Sequence, residues 1–116
     1  MSADFNLMKE VAQQDLQALQ RAEQSYGDSW KRRGGVGAFM MLARKFDRIE
    51  HQSKKHGWDV FEAGAVYSGE AGLLDDIRDL RRYLLLVEQE ILAQEIEENI
   101  PYENEGDNTN EQEEIS

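Results

Sequence analysis

Residues 70–97 read EAGLLDDIRDLRRYLLLVEQEILAQEIE, and this stretch decides the fold class. Its apolar side chains recur at alternating steps of four and three residues, at Leu73, Ile77, Leu80, Leu84, Val87 and Ile91. Such spacing places them on one face of a helix that packs along its full length. We therefore predict a helix over about 70–97. Leu74, Leu85 and Leu86 lie off this face, which indicates a second buried face against another subunit and hence a homo-oligomer.

Two earlier segments also have helical spacing. The first covers about 4–24, contains no glycine or proline, and can be capped by Ser2 or Asp4. The second runs over about 36–56 and is ended by Gly57. Residues 57–69 contain three glycines among Trp58, Phe61, Val66 and Tyr67, and we expect an ordered connection whose aromatics are buried at one end of the core. The three segments predict an all-α, three-helix bundle over residues 1–98.

The C-terminal residues have a different composition. Beyond Pro101, the one proline, Asn, Glu, Gln and Gly dominate, and we expect a disordered acidic tail over 99–116. Nine acidic residues and no Lys or Arg lie in 95–116, whereas residues 31–55 hold eight of the thirteen Lys and Arg residues. Although the net charge of the chain is −11, the helical part is therefore closer to neutral, and its middle is basic.

Length and composition narrow the class of protein further. A chain of 116 residues fits one domain, and the absence of cysteine excludes a disulfide framework and a thiolate metal site. The N-terminus lacks the apolar run of a signal peptide, and no segment has the roughly 20 apolar residues of a membrane span. We therefore expect a cytoplasmic protein that does not enter membranes.

The loop YGDSWKRRGGVG, residues 26–37, combines two aromatic residues, three consecutive cations and four glycines. Long loops of this kind more often carry function than short connections do, and this composition suits an anion. Five cations can bind phosphate oxygens, namely Lys31, Arg32 and Arg33 in the loop and Lys45 and Arg48 in the second helix. Trp30 or Tyr26 can stack on a base.

Each of these residues also has a purely structural interpretation. The loop cations can be a solvated surface, and Lys45 and Arg48 can pair with acids of the third predicted helix. Trp30 and Trp58 can anchor the loop or the core. His51 and His56 have neither a triad partner nor metal-ligand spacing, and we assign them no catalytic role.

Three carboxylates lie near the start of the third predicted helix. Asp75 and Asp79 are one turn apart and Asp76 and Asp79 are three residues apart, so all three share a face. Mg²⁺ prefers oxygen ligands and is often held by one or two carboxylates together with substrate phosphates. The alternative is that these acids neutralise nearby Arg and Lys side chains and favour the helix dipole.

The chain resembles the phage-associated nucleotide-modification family that is related to MazG-type all-α NTP pyrophosphohydrolases. The resemblance covers about residues 20–90 and rests on Tyr26, Gly27, Ser29 and Trp30, on Lys45, Arg48 and Ile49, and on Asp76, Asp79, Leu80 and Tyr83. It implies a MazG-like helical bundle, a nucleotide ligand and bound Mg²⁺. It also adds Tyr83 to the candidate nucleotide-binding residues and implies the cytoplasm of a host cell if a phage encodes the chain.

The chain departs from the MazG-type pattern in one respect. Those enzymes hold Mg²⁺ with two carboxylate pairs on adjacent helices, and only the pair formed by Asp76 and Asp79, aided by Asp75, has a counterpart here. Lys45 and Arg48 stand where the other pair is expected. A two-metal site needs many carboxylates, so this departure leaves open whether the ligand is hydrolysed or only bound.

Three classes of function follow. The first is binding of a dNTP, an NTP or another phosphorylated ligand with Mg²⁺, with or without pyrophosphohydrolysis. The second is a non-enzymatic phage accessory protein that binds and modulates a host protein. Direct binding of nucleic acid ranks last, because the basic patch is short and the acidic tail competes for it.

Overall fold

The structure is a computed structural model and describes residues 2–66 and 72–99. Within these ranges all regular structure is helical, which confirms the all-α class. The elements are α1 (Phe5–Tyr26), a 3₁₀ helix (Ser29–Lys31), α2 (Gly34–Lys54), α3 (Val60–Val66) and α4 (Leu73–Asn99). The three long helices match the predicted segments, and the short α3 was not predicted. The bundle arrangement stays a prediction, and the predicted acidic tail lies outside the described residues from residue 100 onward.

Helix α1 begins and ends with defined caps. The side chain of Asp4 accepts a 3.0 Å hydrogen bond from the backbone N–H of Leu7, which satisfies one of the unpaired N–H groups of the first turn. At the other end Gly27 has a φ of 63° and its N–H donates to the Glu23 carbonyl at 2.8 Å. A residue with a side chain is strained in this left-handed region, so glycine suits the position.

Helix α2 ends in a Schellman motif. The Trp58 N–H donates to the Ser53 carbonyl at 2.8 Å, and the Gly57 N–H donates to the Lys54 carbonyl at 3.2 Å. This pattern requires a left-handed residue after the helix, and Gly57 has a φ of 65°. Trp58 follows with a φ of 68°, a rare conformation for a bulky residue. Gly57 therefore ends the helix, as predicted.

Helix α3 is started by an aspartate. Asp59 Oδ1 accepts hydrogen bonds from the N–H groups of Phe61 and Glu62 at 3.0 and 3.1 Å. The side chains of Trp58 and Phe61 are 61% and 87% exposed. The expectation that these two aromatics are buried is therefore wrong, because the described elements do not cover their side chains. Tyr67 lies outside the described residues.

The apolar core among the described residues is small. Its buried apolar side chains are Ala38, Ala63 and Leu73. Leu73 lies beside α3, where its Cδ2 is 3.7 Å from the position of a Cβ added at Gly64. The predicted seam of α4 is buried only at its start, since Leu84 and Ile91 are 49% and 53% exposed. Packing along the full length of this helix therefore stays a prediction.

The chain divides into two compact units, Met1–Leu84 and Leu85–Ser116, with the boundary inside α4. All interhelical hydrogen bonds and ion pairs described below lie in the first unit. In the second unit, the described residues form the continuation of α4. Within the described ranges, no helix combines the length and the apolar character needed to cross a membrane.

Candidate functional site

Helices α2 and α4 are joined by a group of charged and polar side chains, here called the α2–α4 polar cluster. Its members are Lys45, Arg48 and Gln52 from α2 and Asp75, Asp76 and Asp79 from the first turns of α4. The α2 residues are three and four positions apart and so share one helix face. The sequence prediction that the three aspartates share a face is confirmed, because one carboxylate oxygen from each lies within 4.8 Å of the others.

Asp76 is the buried centre of this cluster. Its side chain is fully buried. Its Oδ1 accepts a 2.7 Å hydrogen bond from Arg48 Nε, and its Oδ2 accepts a 2.7 Å hydrogen bond from Gln52 Nε2. A buried carboxylate needs such partners, because an unpaired buried charge is very costly. Both oxygens of Asp76 are therefore already engaged by α2.

Asp79 and Asp75 are more accessible than Asp76. The Nζ of Lys45 lies 2.8 Å from Asp79 Oδ2 and 3.9 Å from Asp76 Oδ1. The side chain of Asp79 is 31% exposed and that of Lys45 is 15% exposed. Asp75 is half-buried, and no ion pair to it is found within residues 2–66 and 72–99. Lys45 thus occupies the space between two of the three carboxylates.

The charges of the cluster reinforce one another. The pKa of Arg48 is raised above its ordinary value, chiefly by the hydrogen bond to Asp76, then by the charge of Asp76, and more weakly by Asp75 and Asp79. Three carboxylates and the two cations Lys45 and Arg48 sum to one net negative charge (−3 + 2 = −1). The cluster is therefore close to neutral and retains one negative charge that a cation can balance.

The predicted phosphate-binding loop lies at the N-terminal end of α2. Trp30 and Lys31 belong to the 3₁₀ helix and are half-buried, whereas Tyr26 is 73% exposed. Arg32 and Arg33 are exposed and lead directly into α2.

Gly37 leaves room for the Arg33 side chain at the start of α2. A Cβ added there would lie 2.7 Å from the Cβ of Arg33, closer than real side chains approach. The glycine therefore lets the Arg33 side chain pack against the first turn of the helix.

The structure does not bring this loop together with the aspartates. Arg33 and Lys45 are separated along α2 by about 18 Å, at a rise of about 1.5 Å per residue. Lys45, Arg48, Asp75, Asp76 and Asp79 form one group, and the loop residues form another. Tyr83 is half-buried on α4, one turn beyond Asp79 and on the same helix face.

The sequence prediction did not include Gln52 or Asp15. Gln52 is one turn beyond Arg48, and this helical spacing was the signal that it could contact the same partner. Asp15 joins α1 to α4 and is only 3% exposed. Asp15 Oδ1 accepts 2.8 Å hydrogen bonds from Arg81 Nη2 and Arg82 Nε, and its Oδ2 accepts one from Arg81 Nε.

The Asp15 group is a charge-compensated buried site. The hydrogen bond from Arg81 lowers the pKa of Asp15 below its ordinary value, against the effect of burial, and Arg82 adds to this. The same bond raises the pKa of Arg81. Asp15 stands in the middle of the apolar face of α1, and an acid in that position was a signal for a buried partner.

The two histidines lie apart from both groups. His56 Nδ1 is 3.5 Å from Glu62 Oε1, which connects the end of α2 to α3, and His51 is exposed on α2.

Comparison with protein-family models, with curated proteins and with solved structures finds no match to this chain.

Proposed function

We propose that this protein binds a nucleotide, or another phosphorylated ligand, together with Mg²⁺ at the α2–α4 polar cluster. The observation that supports this proposal is the close placement of three carboxylates and two cations. A magnesium–phosphate complex needs carboxylate oxygens for the metal and cationic donors for the phosphates. Both kinds of group are present here within one pair of helices, and Arg48 and Asp79 are partly exposed.

The aspartates have different roles in this proposal. Asp75 and Asp79 are the metal ligands, because they are the more accessible carboxylates of the cluster. Asp76 is a positioning residue, because its two oxygens are already bonded to Arg48 and Gln52. Mg²⁺ usually keeps several waters and accepts few protein ligands, so two carboxylates suffice when phosphates complete its shell.

Lys45 moves between two partners in this proposal. Without the metal its ammonium group neutralises Asp79 and approaches Asp76. A divalent cation on the same carboxylates repels that ammonium group. The flexible stem of lysine allows the group to turn toward a phosphate oxygen instead. Binding of metal and phosphate is therefore expected to be cooperative.

Pyrophosphate release is a separate question from binding. Hydrolysis by the two-metal route needs more carboxylates than Asp75 and Asp79 supply, and Asp76 is engaged by α2. We therefore propose binding as the function, with hydrolysis as a second outcome of the same experiment. Tyr26, Trp30, Lys31, Arg32, Arg33 and Tyr83 stay candidates for contacts to the base, the sugar or more distant phosphates.

Calorimetric titration tests the proposal. Each dNTP and NTP is titrated with and without Mg²⁺, and the same mixtures are assayed for pyrophosphate. We expect Mg²⁺-dependent binding that Asp79→Asn and Asp75→Asn weaken at least about tenfold, since each removes a charged ligand. Asp47→Asn is the matched control, because Asp47 is an exposed acid of α2 outside the cluster. Equal affinity in all three variants would rule out the metal role of the cluster.

A second candidate function is binding to a host protein, as a non-enzymatic accessory protein. The observation that favours it is the exposure of large apolar side chains near the start of α2, where Val36 and Phe39 lie three residues apart on one helix face and are 78% and 63% exposed. Contiguous exposed apolar surface often marks a protein-binding site. If no nucleotide binds in calorimetry, this candidate becomes the first, and Phe39→Ser should then reduce capture of a specific host protein.

A further inference from the structure

The N-terminal half of α1 carries an apolar groove that the described parts of the chain leave uncovered. Its floor is formed by Leu7, Met8, Val11 and Ala12, and it has a volume of about 450 Å³. Asp4 stands at one end, and Asp15 with Arg81 stands at the other. Leu7 and Met8 are 55% and 50% exposed. Helix α1 thus meets α4 at Asp15 and leaves its first three turns open.

Few apolar side chains are buried within residues 2–66 and 72–99. The buried ones are Ala38, Ala63 and Leu73. On the open face of α1, Leu7, Met8 and Leu16 are at least half exposed. A partner that covers this face would therefore add apolar burial that the single chain lacks.

The charges at the two ends of the groove are opposite. Asp4 is negative, whereas Asp15, Arg81 and Arg82 together carry one net positive charge (−1 + 2 = +1). If two copies of α1 lie antiparallel, Asp4 of each copy faces the Arg81 and Arg82 pair of the other. The apolar residues Met8 and Val11 then meet at the centre. The groove is therefore complementary to itself in both charge and apolar character.

We propose that this groove is filled by the same groove of a second copy, in an antiparallel dimer whose two-fold axis passes near Met8 and Val11. Such an interface is isologous, since each copy contributes the same residues. This interface would be a second contact surface of the predicted homo-oligomer, besides Leu74, Leu85 and Leu86 of α4. No residue of the α2–α4 polar cluster takes part, so the proposal does not depend on nucleotide binding.

Sedimentation equilibrium of the full chain tests the dimer. We expect a monomer–dimer equilibrium that Met8→Glu weakens by about 100-fold or more, because a carboxylate would be buried against apolar groups. Gln13→Glu is the matched control, since Gln13 is exposed on α1 outside the groove and the charge change is the same. A monomeric wild-type chain, or equal weakening by both variants, would overturn the proposal.

A crosslinking measurement covers the case in which Met8→Glu fails to fold. The chain has no cysteine, so a single introduced thiol reports only its own neighbourhood. We expect a short bismaleimide to link Val11→Cys to itself across the two-fold axis, and to leave Gln13→Cys without a crosslink although it still dimerises. Equal crosslinking of both variants, or a dimer in which Val11→Cys does not react, would contradict this interface.

Discussion

Arg48 Nε on α2 donates a 2.7 Å hydrogen bond to Asp76 Oδ1 on α4, and Asp76 is fully buried while Arg48 remains 48% exposed. The same carboxylate accepts a 2.7 Å bond from Gln52 Nε2 on its other oxygen. One aspartate thus connects α4 to two turns of α2. This contact gives Asp76 a structural role, and its grouping with Asp75 and Asp79 as metal ligands stays a prediction from sequence spacing.

Asp76→Ala is expected to lower the free energy of unfolding by about 2 kcal/mol, because it leaves Gln52 and Arg48 without their acceptor. Asp75→Ala should change it by less than about 0.5 kcal/mol, since Asp75 is half-buried and has no ion pair in the described ranges. Urea denaturation of the two variants measures this difference. Equal stability of both variants would show that the buried hydrogen bonds of Asp76 contribute little.

The stability of the protein should depend on pH through Asp15. Its pKa in the folded state is lowered from the ordinary value of 3.8 by the hydrogen bond from Arg81, so the carboxylate stabilises the fold fully above that value. This contribution is lost as the pH falls through the lower folded pKa. Asp15→Asn should cost about 3 kcal/mol near neutral pH, and the difference from wild type should shrink below pH 3.8. Denaturation curves between acid and neutral pH would reveal a constant difference if this account is wrong.

Lys45→Met should separate metal binding from phosphate binding. Removing the ammonium group that lies 2.8 Å from Asp79 Oδ2 should tighten binding of Mg²⁺ alone. Binding of the magnesium–nucleotide complex should weaken about tenfold, since one charge-assisted hydrogen bond is lost. Calorimetry with Mg²⁺ alone and with a nucleotide measures both effects. Lys54→Met serves as the control, because Lys54 is exposed at the end of α2, and parallel changes in the two variants would argue against a specific role of Lys45.

Two glycine substitutions should have different effects on α2. Gly57→Ala is expected to destabilise the protein by about 1 kcal/mol, because Gly57 has a φ of 65° in the Schellman motif. Gly35→Ala should be neutral or stabilising by up to about 1 kcal/mol, because Gly35 is inside the helix. An added Cβ meets no atom within 4 Å at either site, so only the backbone conformation differs. Melting temperatures that change equally would contradict this explanation.

The sequence alone determined the all-helical class, the three long helices and the end of α2. These features follow from local rules, because apolar spacing selects a helix and a glycine in the left-handed region ends it. It also placed Asp75, Asp76 and Asp79 on one face, since residues three and four apart on a helix are neighbours. The exposure of Trp58 and Phe61 was not predictable in this way, because burial depends on which elements pack against a side chain.

Only the tertiary structure decided which charges meet. Lys45 and Arg48 were candidates both for phosphate binding and for ion pairing, and the contact of α2 with α4 places them against Asp76 and Asp79. The same is true of Asp15, whose partners lie on α4, far along the chain. Spacing along a helix says which side chains share a face, whereas the partner of that face depends on how helices distant in sequence pack.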